Sequence, residues 1–247
     1  MRQMLPNTRD EPLEDLYLDL SFPEPPAHRP YLYLDMVASV DGAATAGGRT
    51  ARLSGEADSL AFSRLREWCD AILVGASTVR IEDYGPPRPS AAARARRVAR
   101  GLPEAPRIVV VTASCSLNPA GRLFSDPSRR PLVVTTEEGH AERLAGLADV
   151  ADVLQVGTGS VDLASALSQL YRRGVRRVLC EGGPSLNAGL FSAGLVDELF
   201  LTISPLVVAG AAIRIVDGKV PQAPLPVKVE ELREHAGELL LRYRFAA

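Results

Sequence analysis

Val175-Arg176-Arg177-Val178-Leu179-Cys180-Glu181-Gly182-Gly183-Pro184-Ser185-Leu186 is the stretch whose reading decides the fold. It reads as a buried strand, a glycine turn carrying one acid, and the first turn of a helix. Gly182 and Gly183 lack a Cβ, so their backbone can approach a ligand closely. Pro184 suits the first helical position, and the Ser185 hydroxyl can serve the free amides there. Such a helix start attracts anions, and phosphate is the anion expected. Glu181 is the anomaly, because a carboxylate at the mouth of a phosphate site repels phosphate unless it has another task.

Outward from this run, strands alternate with helices. Tyr31 to Val37 is a strand, and Asp41-Gly42 is a turn signal. Ser54-Gly55-Glu56-Ala57 opens a helix, with Asp58 at capping-box spacing from Gly55 and an apolar stripe at Leu60, Phe62, Leu65 and Trp68. Asp70 to Gly75 is a second buried strand ending in glycine, and Thr78 to Glu82 a short helix. The basic run Arg94 to Arg100 lies among prolines and reads as an exposed helix or loop with a solvated face. Ile108 to Thr112, Leu132 to Thr136 and Asp152 to Val156 are strands, and Glu137 to Leu147 is a helix. Leu163, Leu167, Leu170 and Tyr171 make a helical stripe that Gly174 stops. After the strand Leu199 to Ile203, Val227 to Leu232 and Leu239 to Phe245 flank His235-Ala236-Gly237 as a terminal hairpin. The class is α/β: a mostly parallel central sheet flanked by helices, with a C-terminal antiparallel hairpin. Residues 1–30 form an N-terminal extension in which Leu13 to Tyr17 makes a short helix and the prolines prevent regular structure; residues 31–247 form one domain.

The 247 residues carry a net charge of −2, so no global basic field exists and nucleic acid is not an expected partner. Cys69, Cys115 and Cys180 are far apart and read as buried free thiols. No signal peptide or membrane-length apolar run is seen, so a cytoplasmic protein is expected. His28, His140 and His235 are scattered. The chain has no H-E-x-x-H, G-x-S-x-G, P-loop or zinc-deaminase motif, and no G-x-G-x-x-G. It does have two glycine-ended strands, at Gly75-Ala76-Ser77-Thr78 and Gly182-Gly183-Pro184-Ser185. In open α/β sheets ligands bind beyond the strand carboxyl ends, so a cofactor enzyme fits better than a hydrolase.

Three segments then carry a resemblance. Tyr31-Leu32-Tyr33-Leu34-Asp35-Met36-Val37-Ala38-Ser39-Val40-Asp41-Gly42, Asp70 to Val79 and Leu179 to Leu186 resemble, in order and spacing, the motifs of the riboflavin-pathway reductases, which are related in fold to dihydrofolate reductase. The resemblance spans about residues 30 to 245. It implies a stand-alone NADPH-dependent reductase, a phosphorylated small-molecule substrate and a homodimer. The reaction implied is reduction of the ribose of 5-amino-6-(5-phosphoribosylamino)uracil to a ribityl chain. By position, the resemblance places Ala38, Gly75, Ser77, Thr78, Gly182, Gly183, Pro184, Ser185 and Leu186 on the cofactor, with Ser114, at a strand end, near the adenosine 2′-phosphate. It places Asp35, Asp41, Ser54, Arg66, Glu82 and Arg88 on the substrate, with Arg66 on its phosphate and Glu181 as the catalytic acid on the sugar. That answers the anomaly of Glu181, which then faces hydroxyls rather than pyrophosphate.

The chain departs from the family at two places. Asp35 stands where the family carries a lysine, and Glu82-Asp83-Tyr84-Gly85-Pro86-Pro87-Arg88 replaces its D-P-x-L-T-x-R loop. Two other readings stay open on these grounds: a reductase of another heterocycle, such as a dihydrofolate-like pterin, and a nucleotide-binding protein without turnover.

Overall fold

The computed structural model describes residues 1–138, 141–218 and 223–245. His140 and the first residues expected in the helix before Leu147 therefore fall partly outside the described residues. In chain order the elements are β1 (Arg2–Leu5), β2 (Arg9–Asp10), β3 (Tyr31–Ser39), α1 (Glu56–Leu65), β4 (Ala71–Gly75), α2 (Ala76–Ile81), α3 (Ala91–Ala99), β5 (Arg107–Val111) and β6 (Leu132–Thr135). They continue with α4 (Ala141–Leu147), β7 (Asp152–Gln155), α5 (Leu163–Arg172), β8 (Arg177–Cys180), α6 (Pro184–Ser192), β9 (Glu198–Ser204), β10 (Val227–His235) and β11 (Glu238–Phe245). The α/β class read from the sequence holds, including the terminal hairpin, whose turn residues Ala236 and Gly237 both have positive φ.

The chain divides into two compact units: Met1–Glu24, Leu32–Arg66 and Leu179–Ala247 form one, Pro25–Tyr31 and Glu67–Val178 the other. In the first unit the strand order is β2-β1-β10-β11-β9-β3. The β3–β9 pair is parallel and the remaining pairs are antiparallel. Sequence reading placed no strand before Tyr31, yet β1 pairs with β10, and Arg233 bonds Glu11 at 2.7 Å across that edge. The proline-rich segment also reaches the core: Leu16 is fully buried, and Tyr17 and Phe22 pack against Phe200 and Tyr33 with ring centroids 5.2 and 4.8 Å apart. A fully buried ion pair joins β11 to β9, where Arg242 donates twice to Glu198 at 2.9 and 3.0 Å.

In the second unit β4, β5, β6 and β7 run parallel in that order. The side chains of β4, β5 and β6 are mostly apolar on both faces (Ile72, Val74, Val109, Val110, Val133 and Val134 are all buried), as a sheet covered by helices requires. The basic run differs from expectation. Arg97 on α3 is fully buried and donates to the carbonyls of Cys69 and Pro103. Arg96 holds the buried Glu67 through two bonds of 2.6 and 2.7 Å, and Arg100 lies over the Trp68 ring. These arginines fasten α3 to the chain after α1 instead of facing solvent, because carbonyls and one acid await them there.

Among the described residues no helix is long and apolar enough to cross a membrane.

Candidate active site

The first unit holds the acids. Arg66 follows the last turn of α1 and meets Glu181 side by side: Nε donates to Oε1 and Nη2 to Oε2, each at 2.6 Å. This forked, charge-assisted pairing is the strongest geometry available to two such groups. The Glu181 side chain is only 2% exposed against 26% for Arg66, so the carboxylate is the buried partner and the guanidinium the accessible one. The Phe62 ring lies 4.0 Å from the guanidinium and fixes its plane.

Asp35 and Asp58 complete the cluster. In the parallel register Asp35 stands beside Phe200 and Val37 beside Thr202. The Tyr33 hydroxyl donates to the Leu65 carbonyl, which places the Tyr33–Asp35 face of β3 against α1. Burial pushes the Asp35 carboxyl well above the ordinary carboxylate range; the charges of Asp58 and Glu181 add to this, and Arg66 opposes it. Burial also raises Asp58, against hydrogen bonds from Ser54 and Thr202. Ser54 thus serves Asp58. The stripe expected on α1 is shifted as well, since its buried positions are Ala57, Asp58, Ala61 and Leu65.

No side chain within α1 caps its first turn. Glu238 on β11 does so instead, its carboxylate accepting from the amides of Gly55 and Ala57, both at 3.0 Å. Asp41 likewise anchors backbone: it accepts from the Ser39 hydroxyl at 2.5 Å and from the amides of Val208 and Ala209 at 3.1 and 2.7 Å. These bonds, the Ser39 one foremost, hold its carboxyl down at about 2.

The glycine turn lies directly after Glu181. Gly182 has a φ of 77°, and a Cβ built there would meet the Met36 methyl at 3.5 Å and the Asn187 amide at 3.6 Å. The N-cap of α6 is Gly183, with Pro184 in the first turn and no side-chain cap. The capping role expected of Ser185 is therefore corrected: Ser185 lies inside the helix and is exposed, so the first amides of α6 are not covered by it. Leu186 is buried. Asn187, fully buried, donates to the Ile215 carbonyl at 2.7 Å and contacts the Met36 sulfur. The Asp217 amide bonds the Pro184 carbonyl, so residues 215–217 lie along this turn. Ala38 is buried at the end of β3. Burial raises the Cys180 thiol to about 12, which leaves it inert at neutral pH.

The second unit carries the other glycine loop. Gly75 is the N-cap of α2, again without a side-chain cap, and Ser77 and Thr78 form its first turn. Arg80 donates to the Ser77 hydroxyl at 3.1 Å and to the Ser116 carbonyl at 2.9 Å, while Arg143 donates to the Ser114 carbonyl at 2.7 Å. Two exposed guanidiniums thus engage the exposed loop 114–116, Arg143 at Ser114 and Arg80 at Ser116. Glu82 is the C-cap of α2. Arg88 is exposed, and its charge helps lower Asp126.

The structure therefore gathers Asp35, Ser54, Arg66 and Glu181 in one unit, and Ser77 and Ser114 around two arginines in the other. Sequence reading missed Asp58, Thr202, Glu238 and Asn187 in the first, and Arg80 and Arg143 in the second. Asp58 alone left a local signal, as an acid at helical spacing with Ala57, Ala61 and Leu65.

Residues 30–241 match the RibD C-terminal domain family, and the chain belongs to it. A 2,5-diamino-6-ribosylamino-4(3H)-pyrimidinone 5′-phosphate reductase of Methanothermobacter thermautotrophicus is 35% identical over 77% of this chain and 85% of its own length. The reductase of the same name from Archaeoglobus fulgidus is 35% identical over 74% of this chain and 83% of its own. Among solved structures, a pyrimidine reductase-like protein of Corynebacterium diphtheriae superposes with a TM-score of 0.81 at 29% identity, covering 88% of this chain and 92% of that one. Two of these relatives are named as reductases of a ribosylaminopyrimidinone 5′-phosphate and the third as pyrimidine reductase-like.

Proposed function

We propose that this chain is an NADPH-dependent reductase of the riboflavin pathway, converting the ribose of a ribosylaminopyrimidine 5′-phosphate to a ribityl chain. The observation that carries the reading is the Arg66–Glu181 fork placed immediately before the Gly182–Pro184 turn. It joins a sugar- and phosphate-type pair to a cradle for a dinucleotide. The turn suits the cofactor: Gly182 takes a positive φ that other residues rarely adopt, and the amides opening α6 carry no side-chain cap. The loop 114–116, with Arg143 on Ser114 and Arg80 on Ser116, suits a phosphate on the adenosine, which favours NADPH over NADH. When bound, the reduced nicotinamide supplies the hydride.

The protein's own part is positioning and charge. Arg66, the accessible partner of the fork, turns toward the substrate phosphate. Glu181, released from it, accepts hydrogen bonds from the sugar hydroxyls. The amides opening α6 hold the pyrophosphate, and Ala38 borders the nicotinamide. A homodimer in the cytoplasm belongs to the same reading, and sedimentation at working concentration tests the dimer.

The reading is tested by following NADPH oxidation with the ribosylaminopyrimidine phosphate in its diaminopyrimidinone and uracil forms. Dihydrofolate belongs in the same assay, since a buried acid at Asp35 also suits protonation of a pterin ring. Oxidation with either pyrimidine is expected. Oxidation with dihydrofolate alone assigns the second substrate class.

A further inference from the structure

Asn187 is a fully buried polar residue in α6, whose other buried positions are Leu186, Ala188, Leu190 and Phe191. A carboxamide is tolerated among such neighbours only where its atoms are paired. Its Nδ2 donates to the Ile215 carbonyl at 2.7 Å and meets the Met36 sulfur on β3 at 3.1 Å, while its Oδ1 accepts from the Cys180 thiol at the end of β8 at 3.5 Å. These partners fix the orientation of the amide, since turning it over would set its oxygen against the Ile215 carbonyl. The same Nδ2 lies 3.6 Å from where a Cβ on Gly182 would stand, so the carboxamide packs against the glycine turn.

Ile215 belongs to residues 205–218, which carry no buried side chain. Apolar packing therefore does little to seat this segment, and hydrogen bonds do the seating. At one end the Asp41 carboxylate accepts from the Val208 and Ala209 amides, and the Val40 amide donates to the Leu206 carbonyl at 2.9 Å. Further on, the Ala44 amide donates to the Ile213 carbonyl at 2.8 Å. At the other end Asn187 holds Ile215, and the Asp217 amide donates to the Pro184 carbonyl at 3.2 Å. Gly218 lies so close to α6 that a Cβ there would come within 3.0 Å of the Ala188 Cβ. The segment is a strap whose last residues are tied to the start of α6.

We propose that Asn187 is a positioning residue for the cofactor turn, coupling NADPH binding at Gly182–Pro184 to the seating of the 205–218 strap. This rests on the cofactor reading of that turn. The seated strap supplies the carbonyl that fixes the carboxamide, and the carboxamide fixes the packing of the turn. A cofactor that binds the fixed turn better than the loose one must hold the strap down by the same factor. Asn187 acts through the turn and not on the reacting atoms.

The test is hydrogen exchange on the whole protein with and without NADPH, followed at Val208 and Ala209, which sit on Asp41 at the end of the strap away from Asp217. In wild type, saturating NADPH should slow exchange at these amides and at Asp217 by about fivefold or more. In Asn187→Ala the slowing at Val208 and Ala209 should be lost, and the Kd for NADPH, read by fluorescence, should rise by about fivefold or more. The KM for NADPH should rise by a larger factor than kcat falls. Gly218→Ala, at an exposed position, disturbs the seat from the strap side and should weaken NADPH binding in the same sense. Slowing that persists in NADPH-saturated Asn187→Ala reports direct contact with the cofactor and overturns the coupling, as does equal NADPH affinity in wild type and that variant. Wild type that binds and oxidises NADPH while Val208 and Ala209 exchange unchanged overturns the coupling and leaves the reductase reading standing. That measurement needs no variant, so an Asn187→Ala chain that fails to fold does not remove the test. Wild type that binds no NADPH overturns the cofactor reading, and the coupling with it.

Discussion

Glu181 and Arg66 each hold the other, and this sets what their substitution does. Glu181→Gln keeps the shape and loses the charge. Steady-state kinetics should show kcat down by about 100-fold, with NADPH affinity within about twofold, because the amides proposed to hold the cofactor lie beyond the acid in Gly182 to Leu186. An equal loss of cofactor affinity would assign the acid to the wrong ligand. Arg66→Ala has two effects. It should raise the KM of a phosphorylated substrate, and it should destabilise the fold by about 2 kcal/mol in urea, since a carboxylate whose side chain is 2% exposed loses its forked guanidinium. Sequence reading predicts only the first, because nothing in the chain order shows that residues 115 apart are paired. Asp41 behaves in the opposite sense to Asp35. Its carboxyl is held at about 2, so its contribution is present above 3.8 and is lost as pH falls through about 2. Hydrogen exchange at the Val208 and Ala209 amides should accelerate in that acid range, and at neutral pH in Asp41→Asn.

At the scale of elements, α1 is placed by groups that belong to other elements. Its start is capped by Glu238 from β11 and its end is fixed by Tyr33 and Glu181. Glu238→Ala should cost about 1–2 kcal/mol by denaturant unfolding, as loss of a helix cap does, and the loss should spread to kcat because Asp58 and Arg66 ride on this segment. Gly182→Ala should impair NADPH binding, since its φ of 77° disfavours any side chain by about 1–2 kcal/mol even though its neighbours sit at ordinary contact distance. The strand–glycine–helix units were legible in the sequence because their signals are local: β-branched runs such as Ile108 to Val111, then glycine, then Pro184 at a helix start. Leu16, Tyr17 and Phe22 were not, since a proline-rich segment gives no periodicity and its burial depends on Phe200 and Tyr33 far along the chain. Arg97 was misread for the same reason: a basic run looks solvated until the carbonyls of Cys69 and Pro103 are placed around it.

At the scale of the molecule, the two units divide the labour that the family membership implies. One carries the acids, the arginine and a glycine turn; the other carries a second glycine loop and two arginines on the loop 114–116. Fold class and the two glycine loops were readable because each lies within one strand-to-helix step. The pairing of Arg66 with Glu181 and the place of Asp58 beside Ser54 were not, because these residues come from separate stretches. On the proposed NADPH reading Arg80 and Arg143 act on the choice of cofactor: replacing both with Gln should raise the KM for NADPH by about tenfold while leaving that for NADH within about twofold. The central claim, that this chain reduces a ribosylaminopyrimidine phosphate with NADPH, is tested most directly by incubating the purified protein with that substrate and NADPH. Product and cofactor are followed together by absorbance and mass spectrometry. The account predicts one NADPH oxidised per ribityl product, a mass gain of two hydrogens on the substrate. NADPH bound but not oxidised in the presence of that substrate would contradict it.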